Sequence, residues 1–247
     1  MRRREALATG AMAITASFAG CFGNSETTAD GYGPEPESVP NERSIDTDSY
    51  ETKKFDGIDV PLASIDDVFY WYQRQEARIA DARQSDQYKQ AHIAGAVLSS
   101  APDGGSNDPV ADWSKDDRIV TYCACPHPLS GLRAASLIDN NYEEVYAIDE
   151  GFISWLDRGY PAKGTEVNAD RATYKIHGQS DPAYAGEFVI LEQLEADRAE
   201  AAPIQDDGSY TLQLHYAGSS NDRFAVETPT YRIEGSLKEL TGSVVTT

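Results

Sequence analysis

Residues 118–138 read RIVTYCACPHPLSGLRAASLI and predict a β-strand, a thiol-bearing loop and a helix, in that order. The β-favouring run from Ile119 to Tyr122 leads directly into Cys123, and Ser130 opens a segment with apolar residues at helical spacing. A thiol at the end of a buried parallel strand faces the N-terminus of the next helix, whose free amides and dipole favour a thiolate. Cysteines in such positions titrate below their ordinary pKa of about 8.5, so Cys123 is the candidate nucleophile.

The composition of the chain limits its partners. The chain has 247 residues, enough for one large domain or two small ones, and its 21 Lys and Arg against 41 Asp and Glu give a net charge of -20. A strongly acidic chain is repelled by nucleic acid, which argues against a nucleic-acid partner. The acidic, lysine-poor composition resembles that of proteins from extreme halophiles. The alternative interpretation is an ordinary acidic secreted protein.

The beginning of the chain has the pattern of an export signal. Three arginines precede an apolar run that is too short and too weakly apolar to span a bilayer, so residues 1–20 are predicted to be a twin-arginine signal peptide. Residues 18–21, FAGC, are similar to the lipobox of lipoproteins, which predicts lipidation of Cys21 and an anchor on the extracytoplasmic face of the membrane. The alternative is a cleaved signal without lipidation. Residues 21–48 are predicted to be this cysteine and a disordered acidic linker.

Three motifs within residues 49–164 follow one another in a recognisable order. The first comprises Asp81-x-Arg83, Tyr88 and His92-Ile93-x-Gly95-Ala96, the second is Cys123 after a strand-like run, and the third runs from Val145 to Phe152 and continues through Trp155 and Gly159-Tyr160-Pro161. Together they resemble the signatures of rhodanese-family domains. The resemblance implies a doubly wound α/β domain with a parallel sheet, and Cys123 at the carboxyl end of a central strand.

The same resemblance implies a sulfurtransferase that carries sulfane sulfur as a persulfide on Cys123. The small-molecule partners would be a sulfur donor, thiosulfate or a persulfide, and a thiol acceptor, and we expect neither a cofactor nor a resident metal. The remaining candidate active-site loop residues are Ala124, Pro126, His127, Pro128, Leu129 and Ser130.

The loop departs from the family pattern in length and charge. Rhodaneses usually have six loop residues and often an arginine before the helix, whereas here seven residues, Cys123 to Leu129, precede the predicted helix start. A loop of this length resembles the phosphatase and arsenate-reductase branch of the fold. That branch binds its oxyanion through loop amides and an arginine at the loop end. In this chain Pro126 and Pro128 have no amide N–H to donate, and Leu129 occupies the loop end. Arg133 or His127 would have to supply positive charge.

Alternatives to sulfur transfer remain open for this loop. Cys125 is a candidate resolving cysteine, or the nucleophile itself if the loop begins there. Cys123, Cys125 and His127 also have the residue types of a soft-metal or thiol-redox site. A catalytically inactive rhodanese fold that serves as a binding module is the remaining alternative.

The pattern after Gly164 changes to short alternating strands separated by turn-forming clusters. Residues 165–247 are therefore predicted to form a small antiparallel β-sandwich. No catalytic constellation is visible in this segment, so a packing role or the binding of a protein partner is expected.

The excess of acidic residues predicts that salt stabilises the fold. Repulsion among the acidic groups opposes the compact state until salt screens it, and the screening length shortens from about 10 Å at 0.1 M to about 3 Å at 1 M salt. The Tm in molar KCl should exceed that at low salt by about 2–4 °C for each 1 kcal/mol of repulsion relieved. Calorimetry across a KCl series measures this shift, and a Tm independent of KCl would contradict the halophilic interpretation.

Overall fold

The structure is a computed structural model and describes residues 29–125 and 127–246. The predicted signal peptide, residues 1–20, the lipidation candidate Cys21 and the loop residue Pro126 lie outside the described residues. Within the described part, one six-stranded sheet is followed along the chain by two antiparallel sheets. No helix in that part has the length and apolar character needed to cross a bilayer.

The first domain is built on the six-stranded sheet. Its elements are β1 (Thr52–Phe55), β2 (Ile58–Ala63), α1 (Ile65–Arg74), β3 (Arg78–Asp81), α2 (Ser85–Gln90), β4 (His92–Ile93), β5 (Val97–Leu98), β6 (Arg118–Tyr122), α3 (Pro128–Asp139), β7 (Glu144–Ile148), α4 (Gly151–Asp157) and β8 (Ala162–Lys163). The strand order is β1-β2-β7-β6-β3-β5, and β4 pairs separately with β8. The four strand pairs β2–β7, β7–β6, β6–β3 and β3–β5 are parallel, which confirms the parallel arrangement expected from the sequence.

The sheet differs from the prediction at one edge, where β1 pairs antiparallel with β2. Asp56 and Gly57 connect these strands and both have positive φ, 46° and 83°. A two-residue connection with positive φ at both positions matches the twist of a β-hairpin, so the chain reverses here instead of crossing over. The sheet is therefore mixed, with a single antiparallel strand at its edge.

Both faces of the sheet are covered. Ile79 of β3 and Val120 of β6 pack in one hydrophobic cluster with α1 and α4, while their neighbours Ala80 and Ile119 pack in a second cluster with α3. Successive side chains of a strand point to opposite faces, so strands buried on both sides read as continuous apolar runs. This burial explains why the strand before Cys123 is recognisable in the sequence.

Helix α3 begins at Pro128, two residues before the predicted start at Ser130. Proline suits the first helical position because its φ is already near the helical value and the amide it lacks has no partner there. The loop between β6 and α3 consequently comprises five residues, Cys123 to His127, instead of seven.

The second domain contains the two antiparallel sheets and a short helix. Its elements are β9 (Ala172–Gln179), β10 (Phe188–Gln193), β11 (Ala199–Pro203), β12 (Ser209–Tyr216), β13 (Arg223–Glu227), β14 (Arg232–Ser236) and α5 (Leu237–Gly242). One sheet has the order β11-β10-β13-β14 and the other consists of β12 and β9. Side chains of both sheets contribute to one buried cluster, including Leu212 from the smaller sheet and Phe224 from the larger. The antiparallel strands are compatible with the predicted β domain, and a sandwich packing of the two sheets stays a prediction.

The segment before β1 differs from the prediction of a disordered linker over residues 21–48. Where it is described, Gly31 donates its amide to the Gly95 carbonyl at 3.1 Å and accepts from the Ile79 amide at 2.8 Å. The Tyr32 ring lies 4.6 Å from the Arg78 guanidinium. A few backbone contacts at small residues hold this segment against the first domain. The polar composition from which disorder is predicted does not reveal such contacts.

Substitution of Gly95 tests whether the segment packs in this way. A Cβ at Gly95 would lie 1.9 Å from the Tyr32 carbonyl oxygen, whereas a Cβ at Gly105 would meet nothing within 4 Å. Both glycines have positive φ, 91° and 73°, so Gly95→Ala and Gly105→Ala share a backbone cost of about 1 kcal/mol. Gly95→Ala should lose about 1–3 kcal/mol more in denaturant unfolding because of the clash. Equal losses for the two variants would show that the segment does not pack there.

Candidate functional site

Cys123 follows the last residue of β6, at the carboxyl end of a strand that lies between β7 and β3. The Cys123 carbonyl accepts a hydrogen bond from the Phe152 amide at 2.9 Å, and the Ala124 carbonyl accepts one from Ile153 at 3.3 Å. Gly151, with φ of 77°, places its Cα where a side chain would press on the Ala124 and Cys125 carbonyls. The N-terminus of α4 therefore holds the backbone of the cysteine loop in place.

The Cys123 thiol faces the first turn of α3. Its Sγ lies 2.9 Å from the Cys125 carbonyl oxygen and 3.3 Å from Ser130 Oγ. Burial raises the pKa of the Cys123 thiol to about 11, although the hydroxyl and the backbone amide of Ser130 act in the opposite direction. The geometry agrees with the sequence prediction, but the predicted direction of the pKa shift is wrong in this arrangement, because desolvation outweighs the helix N-terminus.

The second domain contributes to this burial. Cys123 is 2% exposed and packs in a cluster with Ala82, Leu129 and Ala201, the last of which belongs to β11. Beside them, Phe55 of β1 stacks on Phe188 of β10 with ring centroids 6.5 Å apart. The candidate nucleophile is thus covered by a domain that begins some forty residues further along the chain.

Cys125 lies at the edge of the same interface. Its Sγ is 3.5 Å from the Gln213 carbonyl oxygen of β12, and burial together with the nearby Glu200 carboxyl raises the pKa of this thiol. Cys123 and Cys125 are both free thiols. In this arrangement neither cysteine is an exposed thiolate.

His127 turns toward the outer side of the loop. Its Nε2 lies 2.7 Å from Asp149 Oδ1 and its Nδ1 3.3 Å from Lys53 Nζ, while burial lowers the pKa of the imidazole. Both ring nitrogens therefore have partners other than the cysteines. Among the described residues, no group of three or more His, Cys, Asp or Glu side chains is arranged to hold a metal ion.

Arg133 does not reach the loop. Its guanidinium pairs with Asp108 and donates from Nε to Ser99 Oγ at 2.8 Å, on the side of α3 that faces the 99–108 segment. The arginine that contributes to the field at the thiols is Arg83, which makes a two-pronged ion pair with Asp81 at 2.9 and 2.6 Å. Asp81 also accepts from the Tyr122 hydroxyl at 2.6 Å, so this pair supports the end of β6.

Glu200 is a site residue that the sequence analysis did not identify. Its side chain is 4% exposed and accepts from Gln87 Nε2 of α2 at 2.9 Å. Burial raises the pKa of this carboxyl to about 7, although Arg83 and Arg198 act in the opposite direction. The signal available in the sequence is a glutamate inside the alanine run of residues 199–202, a charged residue where a strand reads as buried.

Comparison with known proteins identifies the family to which the chain belongs. A model of the rhodanese-like domain matches residues 69–158. The thiosulfate sulfurtransferase GlpE of Coxiella burnetii is 31% identical over 83 residues, which are 33% of this chain and 74% of that protein. The chain therefore belongs to the rhodanese family, and its α/β fold is of the rhodanese type.

Solved structures with similarity to this chain include two proteins of low sequence identity. The rhodanese-like domain of the Anabaena sp. Alr3790 protein is 21% identical, with a TM-score of 0.40 over 44% of this chain and 82% of that chain. The BH2092 protein of Bacillus halodurans is 22% identical, with a TM-score of 0.38 over 42% of this chain and 77% of that chain. The second domain described above lies outside the residues that the family model matches.

The buried Glu200 carboxyl makes stability depend on pH. The pKa of this carboxyl is about 7 in the folded chain, against an ordinary value of 4.5, so the folded chain binds the proton more tightly than the unfolded chain does. Its stabilising contribution is therefore complete below about pH 4.5 and is lost as the pH rises through 7, a change of about 3 kcal/mol. Relative to Glu200→Gln, the native chain should lose free energy of unfolding between pH 5 and pH 8.

Urea unfolding at several pH values measures this difference. Glu195→Gln removes an exposed carboxyl of the same domain and should keep the pH dependence of the native chain. If the free energy of unfolding changes with pH in the same way for the native chain and for Glu200→Gln, the raised pKa of Glu200 would be contradicted.

Proposed function

We propose that the protein is a sulfurtransferase that carries sulfane sulfur on Cys123 as a persulfide. The observation that carries this proposal is the position of Cys123, directly after β6 and against Ser130 of α3, in a chain that belongs to the rhodanese family. The donor class is thiosulfate or a related persulfide, by analogy with the thiosulfate sulfurtransferase to which the first domain is similar. The acceptor is a thiol.

The chemistry begins with ionisation of Cys123. In the covered arrangement burial opposes this step, so the second domain has to move away from the loop before the thiol loses its proton to water. Once uncovered, the thiolate is stabilised by the Ser130 hydroxyl and amide at the N-terminus of α3. These are the groups that would later stabilise the outer sulfur of a persulfide.

Sulfur transfer then proceeds in two displacements. The Cys123 thiolate attacks the outer sulfur of thiosulfate; a sulfur–sulfur bond forms to Cys123, the donor's sulfur–sulfur bond breaks, and sulfite leaves with the electron pair. An acceptor thiolate next attacks the outer sulfur of the Cys123 persulfide, which yields the acceptor persulfide and regenerates the Cys123 thiolate. Cys125, two residues away, is an acceptor that the chain itself supplies.

The proposal includes the location of the protein. The sequence of residues 1–21 supports export by the twin-arginine route and attachment to the outer face of the membrane through lipid on Cys21. The net charge of -20 supports a halophilic setting. A sulfur carrier at that position would exchange sulfur with small extracellular donors or with thiols of a neighbouring protein.

The burial of Cys123 favours a second candidate function, a rhodanese fold that binds a partner without catalysis. Cys123 is 2% exposed and its thiol pKa is raised, both of which oppose its use as a nucleophile. In that case the covered loop would be a purely structural part of the contact between the two domains.

Mass spectrometry of the purified protein after incubation with thiosulfate distinguishes these functions. We expect the mass of one additional sulfur atom on the native chain, removed by a reducing thiol. Cys123→Ser should abolish the addition, whereas Cys125→Ser should retain it and change only the turnover with a thiol acceptor.

The matched cysteine variants also decide the register of the loop. Addition on Cys123→Ser but not on Cys125→Ser would identify Cys125 as the nucleophile. No addition on any variant, including the native chain, would favour the binding module.

A further inference from the structure

A cleft of about 450 Å³ lies between the two domains, beside the covered cysteine loop. The first domain contributes α2, and the rest of the lining comes from the segment that leads into β9, from β10, from the residues just before β11 and from β12. The charged and polar residues that line it include Lys89, Gln90, Glu166, Arg171, Arg198 and His215.

Arg198 is a buried cation without a carboxylate partner. It is 8% exposed, donates from one terminal nitrogen to Gln90 Oε1 and lies 5.1 Å from the centre of the Tyr216 ring. Its Nε has no hydrogen-bond partner in the described structure. Unpaired donors of a buried guanidinium carry a large desolvation cost, because water has been removed and nothing replaces it.

Arg171 in the same cleft is held only by backbone carbonyls. Its two terminal nitrogens donate to the Ala169 carbonyl at 3.2 Å and the Glu166 carbonyl at 2.5 Å. Every other arginine in residues 29–125 and 127–246 lies within 4.0 Å of a carboxylate oxygen. In an acidic chain whose other described arginines are paired, two arginines without a carboxylate in one cleft are an exception.

The carboxylates near the cleft do not complete these pairs. Asp86 is engaged with Lys89 at 2.9 Å and with the Asp197 amide at 3.0 Å. Glu166 contacts Arg171 through its backbone oxygen, and its carboxylate raises the pKa of both arginines from a distance without forming an ion pair within 4.0 Å. Glu200 is bound to Gln87, and its pKa is raised to about 7. Burial also lowers the pKa of both arginines, although guanidinium groups stay charged in proteins.

The cleft continues toward the cysteine loop. A narrower cavity shares Gln90, Arg171, Arg198 and His215 with the cleft and reaches Arg83 and Ala124 of the loop. That cavity has a volume of only about 10 Å³, room for about one water molecule, so a ligand held by the two arginines would lie beside the covered loop and would reach Cys123 only when the domains separate.

We propose that the interdomain cleft is a binding site for a small divalent oxyanion, held by the guanidinium groups of Arg171 and Arg198. The shared chemistry is a tetrahedral sulfur or phosphorus oxyanion, because planar forks of N–H donors bind such oxygens in pairs. As the sulfur donor of the proposed function, thiosulfate is the ligand of this class that would react at Cys123 once the domains separate. This last identification rests on the proposed function, whereas the anion site does not.

Titration calorimetry with sulfate, phosphate and thiosulfate at constant ionic strength in KCl tests the site. We expect sulfate to bind one site, with the affinity reduced at least about tenfold in Arg198→Gln and in Arg171→Gln. Arg223→Gln is the matched control, because it removes the same charge from an exposed arginine of the second domain paired with Glu234 at 3.7 Å. The control should bind sulfate as the native chain does.

The comparison among anions and variants gives decisive outcomes. Absence of sulfate and phosphate binding above the chloride background, or equal binding in all three arginine variants, would overturn the site. If Arg198→Gln does not fold, the half-buried Arg171 carries the test through Arg171→Gln. Thiosulfate binding at the sulfate site in Cys123→Ser supports the donor assignment, and exclusion of thiosulfate from that site overturns it.

The anion site and the proposed activity can fail separately. Sulfate cannot donate sulfane sulfur, so its binding is measured without any reaction at Cys123. If Arg171→Gln forms the persulfide with the same dependence on thiosulfate concentration as the native chain, the cleft has no role in donor entry. If the native chain binds sulfate but forms no persulfide with thiosulfate, the result would instead contradict the sulfurtransferase proposal.

Discussion

The burial of the Cys123 thiol beneath the second domain is the constraint on which the chemistry of this protein depends. The end of β6 and the first turn of α3 place Ser130 against the sulfur, an arrangement that favours a thiolate. Desolvation acts on the same group in the opposite direction and is the larger effect. The loop is thus organised for ionisation, whereas the covering domain maintains the neutral thiol. Chemistry at this site therefore requires a change in how the domains contact one another.

The contact between the domains is mainly polar where it passes α2. Gln87 and Gln90 are three residues apart, so they lie on one face of that helix, and they bind Glu200 and Arg198, which lie on one face of the β11 segment. Asp197 adds hydrogen bonds to the Ser85 amide and hydroxyl at 3.2 and 2.6 Å. Water can replace each of these partners when the contact opens, unlike the apolar contacts of a domain core. Polar interfaces within a chain resemble transient protein–protein interfaces, for which relative motion of the domains is the ordinary expectation.

Sequence reasoning succeeded where a residue's environment is set by its close neighbours along the chain. The strand before Cys123 and the helix after it were predictable because burial on both faces of a sheet leaves a continuous apolar run. The contact of Cys123 with Ser130 follows from the same local order. The direction of the thiol pKa was not predictable, because it depends on packing that involves Ala201, far along the chain. The packing of Gly31 against Gly95 escaped prediction for the same reason, since two small residues meet across the fold without any pattern in composition.

Two buried charged groups, Arg198 just before β11 and Glu200 within it, explain why a pocket at this interface would select an anion. Arg198 and Glu200 are close enough to influence each other's pKa, but they do not form an ion pair, since each is bound to a glutamine of α2. Compensation of Arg198 can therefore come from the carboxylates of Glu200 and Glu166 at a distance or from an anion at its unpartnered Nε. Protonation of Glu200 removes the larger of the two distant contributions and increases the electrostatic advantage of a bound anion. In the proposed site, the carboxyl and the oxyanion are thus alternative counter-charges for one guanidinium, and protons and anions are linked through Arg198.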